Sequence, residues 1–154
     1  MVLKLNIDEQ IQNEAEITIA GQNRTVAFND EFREAAIETL TQIDEILKDV
    51  DELMKEDKDG NSKFNDLSVD EQKNKYNGMM GQMRDCAIAF FDRYLGEGSG
   101  QQIFEHYHSD TMAIMKAIGI LRDQADELLA NDNRETRRAK EKEYTKNGKA
   151  KSKR

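Results

Sequence analysis

The chain has 154 residues, 35% of them charged and 37% hydrophobic, with a single cysteine and no proline. One cysteine excludes an internal disulfide framework, no run of about eighteen apolar residues is present to span a bilayer, and the opening MVLKLNIDEQ lacks the apolar stretch of a signal peptide. The net charge of −8 is unevenly placed: residues 131–154 carry ten basic and four acidic groups, a net +6, while the other 130 residues carry 13 basic against 27 acidic, a net −14. An acidic body repels a phosphate backbone, so nucleic-acid binding, if present, belongs to the tail. A soluble, cytoplasmic protein with an economical core is the expectation, and the Glu, Lys, Gln and Ala content favours helix.

Leu3, Leu5 and Ile7 alternate with polar residues and predict a short first strand. Ile17 and Ile19, then Val26 and Phe28, alternate again around Gly21-Gln22-Asn23, which predicts a β-hairpin with its loop at those three residues. A lone hairpin is marginal in water, so it must pack on the helix that follows.

That helix is predicted from about Asp30 to Glu56. Ala36, Leu40, Ile43, Leu47, Val50 and Met54 recur at spacings of 4, 3, 4, 3 and 4, a heptad seam, with Ile37, Ile46 and Leu53 widening it. An internal core face is the plain reading; a surface for a partner helix or a second copy is the sharper one.

Residues 57–68, DKDGNSKFNDLS, open like a calcium loop. With Asp57 at position 1, Asp59, Asn61 and Asn65 fall on ligand positions and Phe64 on the apolar position. Position 6, which needs Gly, is Ser62, and position 12, which needs a bidentate Glu, is Ser68. Ser68-Val69-Asp70-Glu71 instead reads as a capping box opening the next helix. The stretch is therefore expected to be a helix–helix connector, with no metal bound.

The second long helix is predicted from about Val69 to Leu95, with Val69, Tyr76, Met80, Met83, Ala87, Phe90 and Tyr94 on one stripe and Met79, Cys86 and Phe91 beside it. Gly78 and Gly81 each cost about 1 kcal/mol against Ala, which suggests close approach of another backbone or a bend. Methionines adapt to irregular partners, so Met79, Met80 and Met83 form a candidate binding patch. Gly96-Glu-Gly-Ser-Gly ends the helix, and Ser99 with Gln102 suggests a second capping box before a short helix carrying Ile103, Phe104 and Tyr107. His108-Ser-Asp breaks it. A last helix is predicted from about Thr111 to Ala130, with Met112, Met115, Ile118, Leu121, Ala125 and Leu128 on one side and Asn131 and Asn133 at its end. The tail beyond is expected to extend a solvated helix briefly and then fray into disorder.

No constellation supports catalysis. His106 and His108 are two residues apart and do not share a helical face, Cys86 lies among core-like neighbours as an inert thiol, and no glycine-rich phosphate loop follows a strand. The expectation is a non-enzymatic protein without cofactor or metal.

The hairpin stretch EITIAGQNRTVAFNDEF leading into helix, and the basic end NRETRRAKEK, resemble the tail assembly chaperones of long-tailed phages and prophages of Gram-positive bacteria. The likeness lies at about residues 16–45 and 131–142 and in the overall layout, about a third of the chain. It implies a chaperone that coats the long helical tape measure protein, helps tail tube subunits assemble around it, works in the bacterial cytoplasm and is absent from the finished virion. Some such chaperones have a second, frameshifted form, and the Lys-rich end here would suit a slippery run of adenines.

The expected architecture is mainly α with a small N-terminal β-hairpin, a bundle-like domain over 1–130, of which 1–28 is strand and hairpin, and a disordered basic tail over 131–154. Candidate contact positions for the tape measure or tube protein, or for a second copy, are Leu40, Ile43, Leu47, Met79, Met80 and Met83. The rival reading is a nucleic-acid-associated regulator using Arg134, Arg137, Arg138 and Lys140 of the tail.

Overall fold

The computed structural model describes residues 1–152, with side chains described outside 131–133, 135–136 and 147–152. The described elements run β1 (Glu14–Ile19), β2 (Gln22–Ala27), α1 (Asp30–Met54), α2 (Val69–Leu95), α3 (Ser99–His106) and α4 (Thr111–Ser152). The architecture is mainly helical with an N-terminal two-stranded antiparallel hairpin. Two units divide the chain: Glu14–Ile120, and Met1–Asn13 with the chain from Leu121 on.

In the hairpin, Ile19 pairs with Gln22, which leaves Ala20 and Gly21 as a two-residue loop. Both have positive φ, 52° and 73°, as a type I′ turn requires. The loop is therefore one residue earlier and one shorter than the sequence suggested, because Gln22 and Asn23 are strand residues and Ala20 takes the left-handed position. The register puts Ile17 opposite Arg24 and Ala15 opposite Val26, so Arg24 shares a face with the apolar residues. Ile19, Val26 and Phe28 are buried.

Asn29 caps α1, accepting from the Phe32 amide at 3.0 Å. Phe32 is the hub of an aromatic cluster: its ring centroid lies 5.1 Å from Phe28, 6.0 Å from Phe90 and 5.0 Å from Tyr94. Edge-on and tilted pairs of this kind add to the area they bury. The Tyr94 hydroxyl donates to the Ala27 carbonyl, tying α2 to the end of β2. Glu38 of α1 accepts from Arg93 of α2 at 3.1 Å across exposed surface. Since Glu38 meets Arg93 while residues 46–53 face residues 74–82, the two helices run antiparallel.

Ser68 caps α2 in the capping box read from the sequence: its Oγ accepts from the Glu71 amide and its amide donates to the Glu71 carboxylate. The second expected box fails. Gly98, in the left-handed region, precedes α3, and no side-chain cap forms. Ser99 is buried and donates to the Leu95 carbonyl at 3.2 Å instead. Gly100 sits against α2 so closely that an added Cβ would lie 2.8 Å from Ile88 Cα, and its amide donates to Asp92 Oδ1 at 2.8 Å.

The break at 108–110 holds: His108 and Ser109 have φ of 61° and 55°, and Asp110 Oδ1 accepts from the Met112 amide to start α4. Among the described residues of α4, Thr111, Ile114, Ile118 and Leu121 are buried, while Met112 is exposed. The buried stripe is rotated from the expected one because Met112 and Ile114 lie two residues apart on different faces. The helix does not stop at Asn131 and Asn133. It continues to Ser152, and Arg134, Arg137, Arg138 and Lys140 are exposed on it. The tail thus begins as the solvated helical extension that the sequence suggested; residues 153–154 lie outside the described residues. Arg, Lys, Glu and Ala are strong helix formers, and no glycine lies between Gly119 and Gly148.

The strand expected at Leu3–Ile7 does not form. Residues 1–13 belong to neither strand, and Leu3, Leu5 and Ile7 are exposed. A strand needs a ladder partner, which local alternation of apolar residues cannot supply.

Candidate functional site

The sequence-predicted contact residues separate in the structure. Ile43 and Met83 are 4% and 2% exposed and fill the core, so they present nothing to a partner. Leu40, Met79 and Met80 are half-buried, and Leu47 is 40% exposed. The division follows from the antiparallel geometry. Near the hairpin, the aromatic cluster and Ala87 close the space between α1 and α2. Beyond Ile43 and Met83, toward the connector, the facing side chains no longer fill it.

What remains there is a cleft of about 310 Å³, lined by Ile46, Asp49, Val50 and Leu53 of α1 and by Asn74, Lys75, Gly78, Met79 and Gln82 of α2. Ile46, Val50 and Leu53 are spaced i, i+4, i+7, one ridge of a helix. Of the six positions singled out from the sequence, only Met79 lines this cleft. The sequence put Val50 on the heptad seam and Ile46 and Leu53 on its flank; their joining into one half-buried row was not visible there.

The connector at the cleft's end is held by its own hydrogen bonds. Asp57 Oδ1 accepts from the amides of Asp59 and Asn61 at 2.9 and 3.0 Å, and Gly60 takes φ of 77°. The Phe64 amide donates to the Leu53 carbonyl at 3.1 Å, and Gln72 Nε2 donates to the carbonyls of Phe64 and Leu67. Ser62, at the position where a calcium loop needs Gly, is buried, and its Oγ accepts from the Asn65 amide. The first carboxylate of the would-be calcium loop thus serves the turn itself. Among the described residues, no group of three His, Cys, Asp or Glu is placed to hold a metal ion.

Other chemical groups are engaged locally. Arg24 Nη1 donates to the Leu95 carbonyl at 3.0 Å and lies 3.4 Å from Ser99 Oγ, and Nη2 donates to Gln22 at 2.8 Å. A concavity of about 250 Å³ between the hairpin and α3 is lined by Arg24, Ile103 and His106 among others. His106 is exposed and packs edge-on to Tyr107, with ring centroids 5.1 Å apart. Cys86 is half-buried, less than its neighbours suggested. Burial, and next the Asp85 charge, push its thiol pKa up, which keeps it protonated and weakly nucleophilic. Tyr94 is pushed up to about 12, first by burial and then by the Glu31 charge.

No helix among the described residues is long and apolar enough to cross a membrane. Comparison with protein-family models, with curated proteins and with solved structures finds no match for this chain.

Proposed function

We propose that this chain is a non-enzymatic assembly chaperone of the phage-tail type, which covers a long amphipathic helix of a tape measure protein in the bacterial cytoplasm and leaves before the virion is complete. The observation that supports this reading is the cleft between the far halves of α1 and α2, with its half-exposed ridge Ile46, Val50 and Leu53 facing Met79. A groove with an apolar floor and polar edges accepts a helix laid along it. The methionine side chain adapts to changing residues along such a helix. The acidic body keeps the complex apart from its neighbours by charge.

Co-expression with the long helical protein encoded beside it tests this reading. A soluble complex is expected, where the helical protein alone aggregates. Failure to rescue solubility, with no complex recovered, overturns it.

A second reading is favoured by one feature of α4. Arg134, Arg137 and Arg138 are exposed, and the i, i+3, i+4 spacing puts them on one face. A nucleic-acid-associated regulator built on that face binds duplex DNA with steep salt dependence, and loses binding when residues 134–154 are deleted. Salt-insensitive or absent binding leaves the chaperone reading alone.

A further inference from the structure

The two helices that form the cleft carry three features that run against the local rules of helix stability, and two of the residues concerned, Gly78 and Asp49, line the cleft itself. Gly78 is in the interior of α2, where glycine is about 1 kcal/mol worse than alanine. Nothing lies within 4 Å of where its Cβ would be, so the missing side chain serves no packing inside the chain. Asp51 and Glu52 sit in the last turn of α1, which has no basic residue, although carboxylates are unfavourable at that end of the helix dipole. Finally, Glu45, Asp49 and Glu52 of α1 recur at spacings of 4 and 3, one position before the apolar ridge, and all are exposed. Among the described residues, none of these three is in an ion pair. Sequences break local rules together where a functional site gains from it.

We infer that the cleft is the seat of one helix of another polypeptide, with an apolar ridge on the floor and a row of Lys or Arg along the α1 edge. This deepens the chaperone reading by naming the chemistry of the helix that is covered, and it rests on that reading for the occupant being a protein helix. Gly78 lets the backbone of the occupant approach α2. The three carboxylates are spaced as the flanking positions of a helix pair, where charge sets partner choice and orientation. A second copy of this chain fits poorly. Around the exposed Ile120 and Leu129 of α4, Arg122 is paired with Asp123, and the remaining Asp126 and Glu127 would meet acid with acid. The basic stretch from Arg134 to Lys146 carries only Ala139 and Tyr144 as apolar residues, too few for a ridge.

The test uses the full chain and two synthetic helical peptides of about twenty residues with the same leucine ridge. One carries lysines along one flank, the other glutamates. The lysine peptide is expected to bind at least about ten-fold tighter, with affinity falling as salt rises. Gly78→Ala is expected to weaken that binding at least about ten-fold while raising Tm by about 3 °C, since the helix gains what the cleft loses. The double variant Asp49→Lys, Glu52→Lys should reverse the preference between peptides. Equal binding of both peptides, or binding indifferent to Gly78→Ala, overturns the inference. So does a concentration-dependent dimer that Gly78→Ala abolishes, because the occupant is then a second copy. Peptide binding as expected without rescue of the tape measure protein would sink the chaperone reading and leave the cleft's chemistry standing; rescue without peptide preference would do the reverse.

Discussion

Arg24 of β2 donates to the main-chain carbonyl of Leu95 at 3.0 Å, so a cation from the hairpin closes the last turn of α2. That carbonyl has no partner within the helix, and a guanidinium there also meets the negative end of the helix dipole. Ser99 donates to the same oxygen, which joins the hairpin, α2 and α3 at one atom. Replacing Arg24 with Met keeps the aliphatic stem and removes the charge-assisted bond. A loss of about 2 kcal/mol is expected, read as a lower urea midpoint at unchanged slope.

Two glycines should respond to alanine with opposite sign. At Gly100 the new methyl meets the backbone of Ile88, which cannot rotate away, so α3 must lift off α2 and strain the bond from its amide to Asp92. Gly100→Ala is expected to cost about 2 kcal/mol or more. At Gly119, in α4, nothing lies within 4 Å of the added atom. Gly119→Ala is expected to stabilise by up to about 1 kcal/mol. Thermal unfolding of both variants checks the pair.

Tyr94 gives the fold an alkaline limit. Its pKa is pushed up to about 12 in the folded chain, against an ordinary value near 10, so the folded state holds the phenolic proton more tightly than the unfolded one. Its contribution is full below about pH 10 and is lost as pH rises through about 12. Stability measured across that window should fall more steeply for the natural chain than for Tyr94→Phe. At neutral pH the same variant should be less stable by about 1 kcal/mol, because the Ala27 carbonyl loses its donor. Parallel curves for the two proteins would show that Tyr94 has no part in the alkaline transition.

The connector should behave as a turn and not as a sensor. Micromolar calcium should release no heat and leave Tm unchanged, since Asp57 Oδ1 already accepts two amides and Ser68 provides no bidentate carboxylate. Ser68→Ala should cost about 1 kcal/mol through loss of the cap, with or without calcium. Asp57→Ala should destabilise the loop in the same calcium-independent way.

The amino-acid order by itself determined several features that local chemistry can write, though not the second capping box or the place of the hairpin loop. The capping box at Ser68, the break at His108 and Ser109, the existence of the hairpin and the extents of α1 and α2 all rest on residues within a few positions of one another. Only the tertiary structure decided which apolar residues are core. Ile43 and Leu47 lie on one seam and have the same sequence signature, yet one is buried and the other exposed. Burial depends on what the opposite helix supplies at that height, and the aromatic cluster fills only the hairpin end. Leu3, Leu5 and Ile7 alternate as a strand does and form none, because strand pairing is a property of two segments. The sequence put Gly78 inside a helix and Gly100 in the glycine-rich connection after it, and neither reading says what each glycine meets. One faces open space at a cleft and the other touches Ile88, and that difference exists only once α1, α2 and α3 have met.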